Sequence, residues 1–271
     1  MLVESGAIEA VAARLNEKDV KLLTNYFVIL RNLSDAEADF VSTVIFFSSF
    51  LTIDNFSQQR CDNHLIQYLL RFYKSPDEQV VVYTAGIFEN LSSDKPSLKQ
   101  TIFQCGGVEV LLQTLMKVKR EDVIEPALCT LRHLTSQHFF THQVQSEMRK
   151  LGGLELTIQH LQLATTWPII KAATGLVRNL LNCDENHSTL VDLKIIPRLG
   201  QLLALAVKEE RQNRTKSKSS VSSESSQNTD KTESMNEIIE SAIVSLTLLC
   251  NASMINRDHI IDLNVGPLVV K

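Results

Sequence analysis

The side chains of this sequence that could do chemistry are basic groups placed beside apolar segments. Arg132 and His133 lie in the run EDVIEPALCTLRHLTSQH, and Lys171 and Arg178 lie seven residues apart in WPIIKAATGLVRNLLN. A spacing of seven places two residues on one face of a helix. Because ammonium and guanidinium groups attract carboxylates, this pattern predicts a surface that selects acidic partners.

Asparagines accompany these bases at the same place in similar runs. Asn32 lies in ILRNLSD, Asn90 in IFENLSS and Asn179 in LVRNLLN, and Arg31 precedes the first of them as Arg178 precedes the last. An asparagine amide both donates and accepts hydrogen bonds, so it can hold the backbone of an extended peptide of any sequence. A single asparagine near a helix end is more often a cap or turn residue, and the prediction of a peptide-binding groove therefore depends on the aligned set.

The sequence does not indicate an enzyme. It shows no nucleophile with a placed base and no glycine-rich phosphate loop, and the pair His138 and His142 lacks a third metal ligand. Five cysteines lack metal-ligand spacing and are interpreted as reduced core thiols of a cytosolic or nuclear protein. They are Cys61, Cys105, Cys129, Cys183 and Cys250. We predict no catalytic residue, cofactor, metal ion or small-molecule substrate.

The runs that carry the basic and amide residues are copies of one helical unit. Apolar residues at spacings of three and four form the buried stripe of a helix in each copy. Landmark positions in successive copies are Asn32, Asn90, His133, Asn179 and Leu248. The two middle intervals between them, and the interval between the helix-start glycines Gly106 and Gly152, fall within the roughly 40 to 47 residues typical of armadillo and HEAT repeats. The first and last intervals are longer and require insertions.

Composition agrees with an all-helical chain. Among 271 residues there are only 9 glycines and 6 prolines, aromatic residues make up 6%, and alternating β-branched runs are rare. The net charge of −4 argues against a nucleic-acid binder, so a basic binding surface must be local. We predict about five repeats over residues 1–271, truncated at both ends, as in a fragment of a longer array.

The first interval, from Asn32 to Asn90, contains an insertion. Val41 to Gln58, VSTVIFFSSFLTIDNFSQ, does not continue the period of its neighbours, and its apolar centre is too short to span a bilayer. Removing this segment restores an interval of about 40 residues, the length of an armadillo repeat. We interpret the segment as a loop insertion. A sharper hypothesis is a retained intron, because Val-Ser, the Phe-rich centre and the final Gln can be encoded by GTAAGT, a T-rich tract and CAG.

The last interval, from Asn179 to Leu248, contains a polar segment. Lys208 to Asn236 has only Val221 and Met235 as apolar residues. Such a composition cannot bury enough apolar surface to order itself, and it predicts a disordered loop within one repeat.

Three runs together resemble the C-terminal half of the armadillo domain of the β-catenin and plakoglobin family: EDVIEPALCTLRHLTSQH, TWPIIKAATGLVRNLLNCDENHSTL and IIPRLGQLL. The resemblance covers nearly the whole chain outside the two inserted segments. It implies a right-handed superhelix of three-helix repeats whose third helices line a groove. It also implies that this groove binds extended acidic segments of cadherin tails, of TCF/LEF transcription factors, and of the APC and axin proteins.

The resemblance implies roles for individual residues. The lysine that pairs with a partner acid matches Lys99, the lysine of the WP motif matches Lys171, and the Arg-His pair matches Arg132 and His133. An arginine before the loop of the final unit matches Arg257. The asparagines that anchor the partner backbone match Asn32, Asn90 and Asn179.

Three positions depart from the family pattern. Val28 stands in place of a groove tryptophan, Gln137 in place of a second arginine after RHLTS, and Glu89 adds an acid beside Asn90. Partner choice or affinity is therefore expected to differ from that of the family.

Three functions fit the resemblance. The first is an adhesion protein and coactivator of Wnt signalling in the cytoplasm, in the nucleus and at cell–cell junctions. The second is a junction-only linker like plakoglobin. The third, a nuclear import carrier, is disfavoured because such carriers use Trp-x-x-x-Asn arrays and acidic surfaces, whereas Val28 precedes Asn32 here and the predicted groove is basic.

Overall fold

The protein is described by a computed structural model that covers residues 24–29, 31–32, 61–93, 96–136, 138–162, 165–219 and 225–263. Within these ranges the regular structure is helical, and no strand is present. The insertion predicted at Val41 to Gln58, and Gln137, lie outside the described residues. No helix of the described part is both long enough and apolar enough to cross a membrane.

The helices follow one another with short connections. Beyond the helical residues 24–29 and 31–32, they are α1 (Cys61–Arg71), α2 (Glu78–Ser93), α3 (Pro96–Gln104), α4 (Gly107–Lys117), α5 (Glu121–Leu134), α6 (Thr141–Lys150), α7 (Gly153–Gln159), α8 (Trp167–Leu180), α9 (His187–Asp192), α10 (Ile195–Ser219), α11 (Ser225–Ala252) and α12 (Met254–Asp262). Short 3-10 helices, Phe72–Lys74 and Asp184–Asn186, follow α1 and precede α9. Groups of three helices, the last of them the longest, recur as α3–α4–α5 and as α6–α7–α8.

The chain divides into a first unit, Met1–Val144, and a second unit, Gln145–Lys271. In the first unit α2 packs against α5, and α1 packs against α3. In the second unit α11 packs against both α8 and α10. The long helices that carry the landmark positions are therefore neighbours within each unit.

The stripe predicted on α5 is the buried face of that helix. Ala127, Leu128, Leu131 and Leu134 are fully buried, and Ile124 is 7% exposed. Burial of each large aliphatic side chain of this kind stabilises the fold by roughly 1.5–3 kcal/mol. The 3.6-residue period read from the sequence is confirmed here.

Positive φ angles mark the turn before the second helix of three repeats. Gly106 (φ 79°) precedes α4 and Gly152 (φ 71°) precedes α7, as the sequence landmarks suggest, and Lys194 (φ 63°) holds the same place before α10. The left-handed conformation crowds Cβ against the backbone in every residue except glycine. The third turn escaped the sequence analysis because a lysine occupies it.

Two adjacent glycines, Gly106 before α4 and Gly107 at its first position, should respond differently to substitution by alanine. A Cβ added at Gly106 meets no atom within 4 Å, so Gly106→Ala should cost only the left-handed strain, about 1–2 kcal/mol. A Cβ at Gly107 would lie 2.5 Å from Ile102 Cγ2 and 2.7 Å from the Ile102 carbonyl oxygen. Because the backbone of α3 must move, Gly107→Ala should cost about 3 kcal/mol. Urea unfolding of both variants checks this order, and a larger loss at Gly106 would contradict it.

The loop predicted at Lys208 to Asn236 is corrected by the structure. Helix α10 continues to Ser219 and α11 begins at Ser225, so helix occupies most of the segment. Composition suggests disorder only for a segment without a packing partner. Here α10 and α11 pack on each other, and Glu210, Asn213 and Met235 become buried.

Candidate functional site

In the first unit the predicted groove residue His133 is held by α2. The Ser92 hydroxyl donates to the Glu89 carbonyl oxygen (3.0 Å), and Ser92 Oγ lies 2.9 Å from His133 Nδ1. His133 and its neighbour Arg132 are half-buried, as is Asn90 on α2. The α2–α5 contact thus fixes the ring orientation of His133.

An acid lies among these bases. Glu89 occupies in α2 the position that Arg132 occupies in α5, directly before the landmark residue of its helix. Burial raises the pKa of the half-buried Glu89 carboxyl, while a hydrogen bond from the Cys129 thiol and the charge of Arg31 act in the opposite direction. Arg31 itself lies across α2, because a Cβ added at Gly86 would be 2.7 Å from its Nε. The line of bases predicted from the repeats is therefore interrupted by a carboxyl group.

Two thiols of this region, Cys105 and Cys129, have raised pKa values. Burial raises the pKa of Cys105 to about 11, and burial together with Glu89 raises the pKa of Cys129 further. The thiolate is the nucleophilic form of cysteine, so neither side chain is suited to nucleophilic chemistry near pH 7.

Lys99, a predicted partner-binding residue, is buried in the first unit. Its side chain on α3 is only 4% exposed, and its charge contributes to lowering the pKa of His138, for which burial is the larger cause. The resemblance implies that this ammonium pairs with a partner carboxylate. That pairing stays a prediction, for a lysine that is buried in this structure.

In the second unit the two bases of α8 are each paired with an acid of α11. Lys171 Nζ lies 2.8 Å from Glu237 Oε1, and Arg178 Nη1 lies 3.1 Å from Glu240 Oε1. The side chains of Lys171 and Glu237 are 31% and 40% exposed, and those of Arg178 and Glu240 are 39% and 65% exposed. Both bases are therefore reachable from solvent, but they already have anionic neighbours.

The remaining predicted site residues lie in several environments. Arg31 and Asn32 are exposed, and Arg257 is exposed on α12. Asn179 is half-buried, and its carbonyl oxygen accepts a hydrogen bond from Gln145 Nε2 at 3.1 Å. Within the second unit, Lys171, Arg178 and Asn179 share helix α8.

A set of capping side chains was missed by the sequence analysis. The carbonyl oxygen of Leu134 in α5 accepts a hydrogen bond from His138 Nε2 (2.6 Å). The equivalent carbonyls near the ends of α8 and α11, those of Leu180 and Leu249, accept from Asn186 Nδ2 (2.7 Å) and Asn256 Nδ2 (3.2 Å). These side chains satisfy carbonyls that have no partner inside the helix. Their only sequence signal is a His or Asn four to seven residues after the last buried leucine of the helix.

The chain is similar to known proteins in both sequence and fold. The family model described as Armadillo/beta-catenin-like repeat matches residues 95–136, which contain α3, α4 and α5. The armadillo segment polarity protein of Drosophila melanogaster is 32% identical over all 271 residues, and the junction plakoglobin of Xenopus laevis is 31% identical over the same length. The chain is a homologue of β-catenin and plakoglobin. It spans about a third of the length of these curated relatives, 30% and 33% respectively.

Solved structures agree with this relationship. One, described as "A conserved phosphorylation switch controls the interaction between cadherin and beta-catenin in vitro and in vivo", is 25% identical with a TM-score of 0.70 and covers 92% of this chain and 42% of that chain. A designed armadillo repeat protein, 14% identical with a TM-score of 0.69, covers 96% of this chain and 90% of its own and supports the fold alone. The predicted all-α armadillo fold and family are confirmed. This β-catenin homologue belongs with non-enzymatic armadillo scaffolds.

Proposed function

We propose that this β-catenin homologue is a scaffold that binds extended acidic segments of other proteins along its long third helices. The observation that carries the proposal is the placement of Lys171 and Arg178 on one helix, both partly open to solvent. The similarity to a chain from a study of the cadherin–β-catenin interaction supports a cadherin tail as one partner. Acidic segments of TCF/LEF, APC and axin proteins are further partners by resemblance. Their binding would give the protein roles at cell junctions, in the cytoplasm and in the nucleus, including coactivation in Wnt signalling.

Charge reversal on α8 tests this proposal. The double variant Lys171→Glu/Arg178→Glu should bind a fluorescent acidic cadherin-tail peptide at least about tenfold more weakly, because two attractions become repulsions. Binding by the unsubstituted protein should also weaken as salt increases.

A matched control separates the site from net charge. The variant Lys150→Glu/Lys208→Glu makes the same charge change at two exposed lysines on α6 and α10. Its affinity should stay within about twofold of the unsubstituted protein, because separated surface charges are screened by salt. Equal losses in the two double variants would show that α8 is not the binding surface.

The junction-only linker is the second candidate, because junction plakoglobin, at 31% identity, is nearly as similar to the chain as the armadillo protein, at 32%. A linker of this kind would bind the cadherin-tail peptide but not a TCF/LEF-type peptide of equal charge. The import carrier would instead bind a basic peptide. Anisotropy titrations with these three peptides therefore distinguish the three functions.

A further inference from the structure

We infer that Glu237 and Glu240 of α11 are specificity-determining residues. They form ion pairs with the bases of α8, and they therefore compete with the acidic side chains of a partner for those bases. This inference rests on the proposed function, since it concerns the same basic residues. It makes the site selective for segments with a high density of acidic side chains.

The geometry supports competition rather than a permanent structural bond. Both pairs are made at hydrogen-bonding distance, 2.8 Å for Lys171–Glu237 and 3.1 Å for Arg178–Glu240. All four side chains are between 31% and 65% exposed. Solvent-exposed ion pairs are weak, because water and salt screen them and two long side chains must be ordered. A partner carboxylate can therefore reach each base and displace the acid that holds it.

The same acids also repel a partner. A carboxylate that approaches Lys171 or Arg178 meets Glu237 or Glu240 at the same place, and like charges at an interface oppose binding. A segment with one isolated acid gains little by replacing one anion with another. A segment with several closely spaced acids gains more, so the acids of α11 exclude weakly acidic partners and thereby create selectivity.

The repeat pattern places one of the two acids, Glu240, at a position where a base is expected. Glu240 precedes the landmark Leu248 of α11 by the same spacing at which Lys171 precedes the landmark Asn179 of α8. In the first unit, Glu89 occupies in α2 the position that Arg132 occupies in α5. Each unit, taken separately, therefore contains acids interleaved with its bases.

Removal of the two acids tests the inference. The variant Glu237→Gln/Glu240→Gln keeps side-chain size and removes both negative charges. It should bind an acidic cadherin-tail peptide roughly three- to tenfold more tightly, as expected for the loss of two weak competing pairs. The dependence of its affinity on salt should also become steeper, because the positive charges of Lys171 and Arg178 are then no longer offset by neighbouring carboxylates.

The control makes the same charge change elsewhere in the second unit. Glu155→Gln/Asp258→Asn removes two exposed acids from α7 and α12, and its affinity should stay within about twofold of that of the unsubstituted protein. Thermal unfolding followed by circular dichroism verifies that each variant is folded. The single variant Glu240→Gln, at a side chain that is 65% exposed, replaces the double variant if the latter is destabilised.

The outcomes separate the inference from the proposed function. If the unsubstituted protein binds the peptide and the double Gln variant binds it more tightly, the result supports both the inference and the proposed function. Unchanged binding, or an equal gain in the control, overturns the inference and leaves the proposed function in place. Binding only after the acids are removed supports the inference and overturns acidic-segment binding by the natural chain. No binding by any variant overturns both.

Discussion

Replacing Phe88 with alanine should lower the free energy of unfolding by about 3–5 kcal/mol. The side chain is fully buried in α2, and its ring centroid lies 5.6 Å from that of Tyr73. Helix α2 also packs against α5 within the first unit. Both the lost transfer free energy of the ring and the unfilled volume contribute to this loss.

The same substitution at Phe139 provides the control. Phe139 is 86% exposed although it belongs to the same unit, and its truncation should change stability by less than about 0.5 kcal/mol. Urea unfolding monitored by circular dichroism measures both variants. Comparable losses at the two positions would show that burial does not determine the effect of removing a ring in this unit.

The helices and their repetition were predictable because they depend on local periodicity. The spacing of apolar residues in Glu121–Leu134 identified both the helix and its buried face, and Gly106 and Gly152 identified two turns. A helix face is set by 3.6 residues per turn, so a sequence window is sufficient to locate it. The resemblance, which covers nearly the whole chain outside the two inserted segments, then indicated the fold family.

The ion pairs of the second unit were not predictable in the same way. Arg178 and Glu240 are 62 residues apart, and the polar segment between them was interpreted as disordered. Only the packing of α11 on α8 brings the two side chains together. A basic pattern along one helix therefore predicts a binding surface, but it does not show whether the protein already supplies an acid there.

Lys99 illustrates a second limit. Alignment to a family transfers the residue type, whereas accessibility depends on the side chains that pack around it. At Lys99 the surroundings leave 4% of the residue exposed. The charge attributed to this position by resemblance is present, but its environment differs.

Replacing Asn186 with alanine should lower the free energy of unfolding by about 2–4 kcal/mol, although only a polar group is lost. The side chain is fully buried next to the end of α8. Its Nδ2 donates to the Leu180 carbonyl oxygen (2.7 Å) and to Gln145 Oε1 (3.1 Å), and its Oδ1 accepts from Arg149 Nη1 (2.8 Å). Truncation leaves two acceptors and one charged donor without this partner, and buried polar groups are costly when unpaired.

Two further variants show whether the amide itself is responsible. Asn182→Ala removes an exposed amide from the same turn and should change stability by less than about 0.5 kcal/mol. Asn186→Asp keeps the acceptor that faces Arg149 but replaces the two N–H donors with a carboxylate oxygen facing the oxygens of Leu180 and Gln145. It should therefore be at least as destabilising as alanine in urea unfolding at pH 7. An Asp variant as stable as the unsubstituted protein would contradict the donor role of Asn186, because only the donated hydrogen bonds distinguish the two side chains at this position.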